Sequence, residues 1–289
     1  MHMTVQLKAC SLPSITDMPD PGRRATMRAP DFMDRRETTM ADASPPRHAR
    51  PFVSMTAKTK QLHFVADEVQ SSMDLRDPSA LNLEYTRAMM GFLLFDAAPA
   101  QVGMIGLGGG SLAKFCYRHL PDSMIRIAEI NPYVIALRDE FEVPEDDERF
   151  SIVEADGADF VRNCPASFNV LLVDGYDARG LPKALSSQRF YEDCHAALAA
   201  NGLAVVNLHA DARDYRQQVD RIRNAFHDAI LLVEDKREGN SIVFAQQGNP
   251  LQMLSIGPLR RPASFDEKTW KSFQNAFSRI LAALKDDRP

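Results

Sequence analysis

The chain has 289 residues, 45% of them hydrophobic and 25% charged, with a formal net charge of −5. That is enough for one decorated α/β domain with a large core, and the mildly acidic balance argues against nucleic acid as an obligatory partner while suiting a cationic substrate. No apolar run approaches the ~20 residues that cross a bilayer, and the start "MHMTVQLKACSLPSITDMPD" lacks the charged beginning and apolar core of a secretory signal.

Residues 1–52 carry Pro13, Pro19, Pro21, Pro30, Pro45, Pro46 and Pro51 among scattered charges, without apolar periodicity. Such a segment cannot build a packed core and is expected to be a disordered extension. Residues 53–96 form a small N-terminal region. "QLHFV" and "VQSSMDL" alternate around "ADE" as a β-hairpin, and "LNLEYTRAMMGFLLF" predicts a largely buried helix near 83–95. Cys10, Cys116, Cys164 and Cys194 are widely spaced with no C-x-x-C pair, so no zinc or redox motif is expected. The last three sit in apolar helical contexts and read as small buried hydrophobes, which fits a reducing cytoplasm.

From residue 97 to 250 strands and helices alternate. "QVGMIGL" is strand-like and 110–119 helical; "MIRIAEI" is a strand and "PYVIALRDEF" a helix with Pro132 in its first turn. "FSIVEA" precedes a short helix at 157–163, and "FNVLLVD" is the continuous apolar run of a strand covered on both faces. A helix over 186–200 ends at Asn201-Gly202, "LAVVNL" is the next strand, and 213–226 is helical. "AILLVED" and "SIVFAQQ" follow with no helix between them, so one must run antiparallel. The pattern predicts a doubly wound, seven-stranded, mostly parallel sheet: the Rossmann-like fold of class I S-adenosylmethionine-dependent transferases. Residues 251–289 are a helical extension whose Trp270, Phe273, Phe277, Ile280, Leu281 and Leu284 make one apolar stripe.

The chemistry is expected at the carboxyl ends of the strands, where open α/β sheets hold ligands. Gly106, Gly108, Gly109 and Gly110 crowd the end of the first strand and let a ligand approach the backbone beside a helix N-terminus. Glu129 ends the second strand, 23 residues after Gly106, where an acid can hold both ribose hydroxyls. Asp156, followed by Gly157, ends the third. Its carboxylate reads either as a helix N-cap or as an acceptor for an adenine amino group. Asp174 and Asp177 lie in "VDGYDARGLP" after the fourth. They read as ligands for substrate ammonium groups, one of them a general base, or as caps of their own turn. Tyr176 between them either walls the pocket or packs under the loop. The histidines show no metal-ligand spacing, and His209 edges the pocket or is a plain loop residue.

"MIGLGGGSLAKF", "AEIN", "EADGADF" and "VDGYDARGLP", in that order, resemble the polyamine aminopropyltransferase (spermidine synthase-like) family, and "LHFVADEVQSSM" resembles its N-terminal β-hairpin. The resemblance spans roughly residues 60–247. It implies transfer of an aminopropyl group from decarboxylated S-adenosylmethionine to an amine such as putrescine, with release of methylthioadenosine, no metal and a homodimer. By position it assigns Glu129 to ribose, Asp156 to adenine, Asp174 as base and Asp177 to the substrate amine. Gln70 falls at the family's active-site glutamine and Tyr85 at its tyrosine. With Gly106, Gly108, Gly110 and Gly157 these complete the candidate site.

Three departures stand out. Gly109 occupies the position of an aspartate that helps bind the aminopropyl amine, "YTR" (85–87) replaces Tyr-His-Glu, and Ala178 stands where proline is common. The lost acid and the added Arg87 suit an anionic group such as the carboxylate of intact S-adenosylmethionine. A methyltransferase and a non-catalytic nucleotide-binding homologue are therefore the alternatives.

Overall fold

A computed structural model describes residues 48–66, 68–234, 239–248 and 261–286. Most of the extension expected over 1–52 lies outside these residues, as do Cys10 and much of the hairpin turn joining the last two strands.

The described chain begins with a three-stranded antiparallel sheet of β1 (Phe52–Met55), β2 (Thr59–His63) and β3 (Ser71–Asp74) in the order β1-β2-β3. The expected hairpin is β2–β3. β1 adds a strand that "FVSM" does not announce, because it is too short to show alternation. Leu62 and Met73 from this sheet are buried in the main core. The helix expected near 83–95 is α1 (Glu84–Met89) followed by a 3-10 segment, Met90–Leu94. Gly91 lies in that segment because any Cβ there would sit 2.2 Å from the Ile280 side chain and 2.8 Å from Phe244.

The main sheet contains β4 (Gln101–Ile105), β5 (Met124–Glu129), β6 (Phe150–Glu154), β7 (Phe168–Val173), β8 (Leu198–His209), β9 (Ile230–Glu234) and β10 (Asn240–Gln246). Its order is β6-β5-β4-β7-β8-β10-β9, and β10 pairs antiparallel with both β8 and β9. The connecting helices are α2 (Ser111–His119), α3 (Pro132–Ile135), α4 (Gly157–Arg162), α5 (Gln188–Ala197) and α6 (Tyr215–Ala225). α3 is much shorter than "PYVIALRDEF" suggests; after Ile135 the chain continues as turns, and Glu142 adopts a positive φ of 53°. α4, α5 and α6 pack in a row. α7 (Glu267–Asp286) packs on α1, the 3-10 segment and β9, burying Phe273, Phe277, Ile280 and Leu284. Cys116, Cys164 and Cys194 are buried.

Because β6, β5, β4 and β7 are adjacent and parallel, their carboxyl ends form one edge. Among the described residues no helix is long and apolar enough to cross a membrane.

Candidate active site

The glycine loop leaves β4 between two strand ends. Gly106 has φ +91°, and a Cβ there would lie 2.3 Å from the Asp174 carbonyl oxygen. Only glycine therefore lets this loop pass the end of β7. Added Cβ atoms would lie 2.4 Å from Val143 at Gly110, and 2.7 Å from the Ser71 hydroxyl and 2.8 Å from the Phe141 ring at Gly109. Protein packing thus accounts for three of the four glycines. Gly108 is the open one: its nearest neighbour would be Ser71 Cβ at 3.8 Å. Gly157 is also a packing position, where a Cβ would lie 2.4 Å from the Ile105 side chain and 3.1 Å from Leu185.

Glu129 ends β5 buried beneath this loop, with 8% of its surface exposed. Its Oε2 accepts from the Leu107 N–H at 2.9 Å and its Oε1 from the Asn131 N–H at 2.8 Å. Burial raises its carboxyl above the ordinary value, and the backbone donors, Leu107 first, pull it back. The carboxylate that the sequence marks for ribose therefore also ties the glycine loop to the end of β5. Asp156 caps α4, its Oδ1 accepting from the Ala158 N–H at 2.8 Å, so the capping alternative describes this side chain as it stands.

Asp174 follows β7 and is half-buried. Asn207 Nδ2 donates to its Oδ1 at 2.8 Å, and the Tyr85 hydroxyl of α1 donates to the same carboxylate. Desolvation raises the Asp174 carboxyl above its ordinary value; the Asn207 and Tyr85 bonds and the neighbouring His209 oppose that rise. Burial and the Asp174 charge both push the Tyr85 hydroxyl well up, so it stays a proton donor. The Tyr176 ring lies flat on His209, centroids 4.0 Å apart and planes 12° apart. Its hydroxyl donates to the Asn207 carbonyl at 3.2 Å and accepts from the His209 N–H at 3.0 Å. The Tyr176 ring and hydroxyl are thus fixed to β8, and His209 is the last residue of that strand rather than a loop residue.

Two of the candidate residues stand apart from this network. Asp177 Oδ1 accepts from the Arg179 N–H at 2.7 Å, within a turn closed by reciprocal Asp177–Gly180 backbone bonds of 3.0 and 3.1 Å. Its carboxylate caps its own turn. Gln70 is half-buried just before β3, its N–H bonded to the Leu62 carbonyl at 2.9 Å. Its neighbour Ser71 reaches the loop, 3.2 Å from the Ser111 hydroxyl. Arg87 is bonded to protein groups. Its Nε donates to Glu84 at 3.0 Å and its Nη1 to the carbonyls of Leu81 and Asn82, while Glu84 also pairs with Arg279 of α7 at 2.8 Å.

Sequence reasoning missed Asn207, Asn240, Ser71 and Phe141. One signal was available for the first: a polar residue inside the apolar run "LAVVNL" needs a buried partner. Among the described residues no group of three or more His, Cys, Asp or Glu could hold a metal ion.

The sheet and its reversed last strand define a Rossmann-like α/β fold. Residues 82–223 match the family model for the spermine/spermidine synthase domain. A polyamine aminopropyltransferase of Neisseria meningitidis serogroup A is 38% identical over 239 residues, 82% of this chain and 89% of that protein. One of Chromobacterium violaceum is 41% identical over 199 residues, 68% of this chain and 76% of that protein. A solved probable spermidine synthase from Corynebacterium glutamicum shares the fold at TM-score 0.60 and 21% identity, over 69% of this chain and 77% of its own. The chain belongs to the polyamine aminopropyltransferase family and is a transferase.

Proposed function

We propose that the protein transfers the aminopropyl group of decarboxylated S-adenosylmethionine to a small polyamine acceptor such as putrescine. The observation that carries this is the Asp174 carboxylate, held by Tyr85 and Asn207 at the sheet edge that also bears the glycine loop and Glu129. Asp174 takes a proton from the acceptor ammonium and frees its lone pair. The amine attacks the propyl carbon bonded to sulfur; the new C–N bond forms as the C–S bond breaks, and methylthioadenosine leaves as a neutral thioether. The raised Asp174 carboxyl makes it a stronger proton acceptor than an ordinary aspartate. Alignment of the two reactants supplies most of the remaining acceleration. In this assignment Glu129 binds the ribose, Asp156 the adenine, Gly106, Gly108, Gly110 and Gly157 border the nucleotide, and Gln70, Tyr85, Tyr176 and Asp177 border the amine.

One observation favours a second reading. The place of an acid at position 109 is taken up by Phe141 and the Ser71 hydroxyl, so the loop offers the aminopropyl ammonium no charge. Methyl transfer from intact S-adenosylmethionine needs none there. Calorimetric titration with the decarboxylated and intact forms, paired with product analysis on putrescine, decides. Roughly tenfold or greater preference for the decarboxylated form, a difference of about 1.4 kcal/mol, with aminopropyl product supports the first reading. The opposite preference without that product moves the protein to methyl transfer.

The same reading carries a cytoplasmic homodimer. The dimer is supported by the exposed apolar side chains of the small N-terminal region, Phe52, Met55, Val65, Val69 and Leu75. Light scattering at micromolar concentration reads the mass directly.

A further inference from the structure

Among the described residues, Asn207 is the side chain that touches the Asp174 carboxylate from the interior of the sheet. It is 2% exposed, in an otherwise apolar stretch close to the end of β8. A buried primary amide has two donors and an acceptor to satisfy, and its two ends are not interchangeable. Here the ends are assigned by their neighbours. Asn240 Nδ2 donates to Asn207 Oδ1 at 3.0 Å, and Asn207 Nδ2 donates to Asp174 Oδ1 at 2.8 Å.

The sheet register places them together. Asn240 of β10 lies opposite His209 of β8, and Asn207 is two residues before His209, so all three share one face of the antiparallel pair. If the Asn207 amide turned over, its oxygen would meet the Asp174 carboxylate and its NH2 would meet the Asn240 donor. The contact with the carboxylate would be repulsive, so Asp174 sets the orientation, and Asn240 completes it by donating to the amide oxygen that faces away from Asp174. The same residue also grips the other end of the turn: the Asn207 backbone carbonyl accepts the Tyr176 hydroxyl at 3.2 Å. Asp174 and Tyr176 are thus referred to one point on β8.

We propose that Asn207, backed by Asn240, is a positioning residue that aims the Asp174 carboxylate into the site. The assignment of Asp174 as the base rests on the function proposed above; the positioning does not. Asp174 otherwise faces the Tyr85 hydroxyl from α1, His209 from β8 and Tyr176 from its own turn, with the carboxylates of Asp211 and Asp214 acting on Tyr176. When Asn207 is lost, Tyr85 is the side-chain donor that remains among the described residues, and desolvation of the carboxylate is then less opposed.

The test is the ionisation midpoint of Asp174, read by carbon NMR of aspartate-labelled protein with Asp174→Asn identifying the resonance. Asn207→Leu keeps the branched side-chain skeleton and removes the donor. It is expected to raise the proton affinity of Asp174 roughly tenfold, the scale of one charge-assisted hydrogen bond. The acid limb of kcat should move by the same factor, with donor affinity changed less than about twofold. Asn240→Ala removes the donor that holds the Asn207 oxygen and so loosens the amide, and is expected to shift the midpoint in the same direction by a smaller factor. If Asn207→Leu does not fold, Asn240→Ala carries the test at the sheet edge. An unmoved midpoint in a folded variant overturns the proposal, as does a drop in kcat with no change in the pH profile. A shifted midpoint in a protein whose wild type transfers no aminopropyl group leaves the positioning standing and removes the function proposed for it.

Discussion

Asp174 is a charge kept where solvent is scarce, and that has a consequence for stability as well as chemistry. Its carboxyl is raised in the folded state, chiefly by desolvation, so the folded protein binds the proton more tightly than the unfolded chain does. Stability contributed by this group therefore falls as pH rises from the unfolded value through the folded one, and is regained on acidification. At neutral pH the ionised group is a cost. Asp174→Asn is accordingly expected to abolish transfer, leave nucleotide affinity within about twofold, and hold or raise the melting temperature. Retained turnover removes Asp174 as base; a melting temperature lower by more than a few degrees contradicts the sign. Restoring the acid at position 109 has the opposite character. Gly109→Asp must displace the Phe141 ring, which is 1% exposed, and overpacking of this kind costs about 1–3 kcal/mol. Chemical denaturation of that variant reads the loss, and Phe141→Leu in the same chain should recover part of it. These residues were unequally visible in the sequence. Glu129 and Asp174 stand out because each closes an apolar strand run at the sheet edge that carries the glycine loop. Asn207 is hidden because its partners lie 33 residues away in both directions, at Asp174 and Asn240. Asp177 shares the spacing of a substrate ligand, yet its carboxylate is used by its own turn.

The elements set the loop from behind. The segment after α3 carries Phe141 and Val143 against Gly109 and Gly110, and two lysines fasten it. Lys60 of β2 donates to the Glu140 carbonyl at 2.7 Å and Lys114 of α2 to the Phe141 carbonyl at 2.5 Å. Lys114 is 3% exposed. Burial, opposed by Glu142 and assisted by Lys60, lowers its ammonium from 10.5 to about 8. Between those values the unfolded chain binds a proton that the folded one has released, so stability rises with pH across that window. The stability of the wild type relative to Lys114→Met should therefore grow as pH goes from about 8 to about 10, by up to roughly 3 kcal/mol. Urea denaturation of both proteins at several pH values cancels the other titrations, and a flat difference would count against a buried, charged Lys114. None of this is legible in "SLAKFCYRH", where Lys114 looks like a surface residue in an amphipathic helix. Its burial depends on a neighbouring segment that abandons its expected helix after Ile135. The strand–helix alternation was legible because continuous apolar runs and glycine breaks carry it locally; the truncation of α3 was not, because it depends on Phe141 and Val143 finding the glycine loop.

At the scale of the whole molecule, the C-terminal helix is not an appendage. Its apolar stripe was plain in the sequence, but what covers that stripe was not, since the 3.6-residue period says only that one face is buried. The structure answers with α1, the 3-10 segment and β9. Phe273, Phe277, Ile280 and Leu284 enter the same core as Phe92, Phe115 and Phe244, and Glu84, beside Tyr85 on α1, bonds Asn275 and Arg279 of α7. Each large apolar side chain buried is worth about 1.5–3 kcal/mol, so these four contribute roughly 6–12 kcal/mol. That is comparable with the entire net stability of a domain, about 5–15 kcal/mol. A chain ending at residue 260 should therefore lose its cooperative thermal transition and bind a dye for exposed apolar surface, and lose activity with it because α1 no longer holds Tyr85 against Asp174. Scanning calorimetry checks this. A truncated protein that still melts cooperatively within a few degrees of the full chain would mean that α7 lies on a finished core, and that Tyr85 is placed by α1 and the sheet alone.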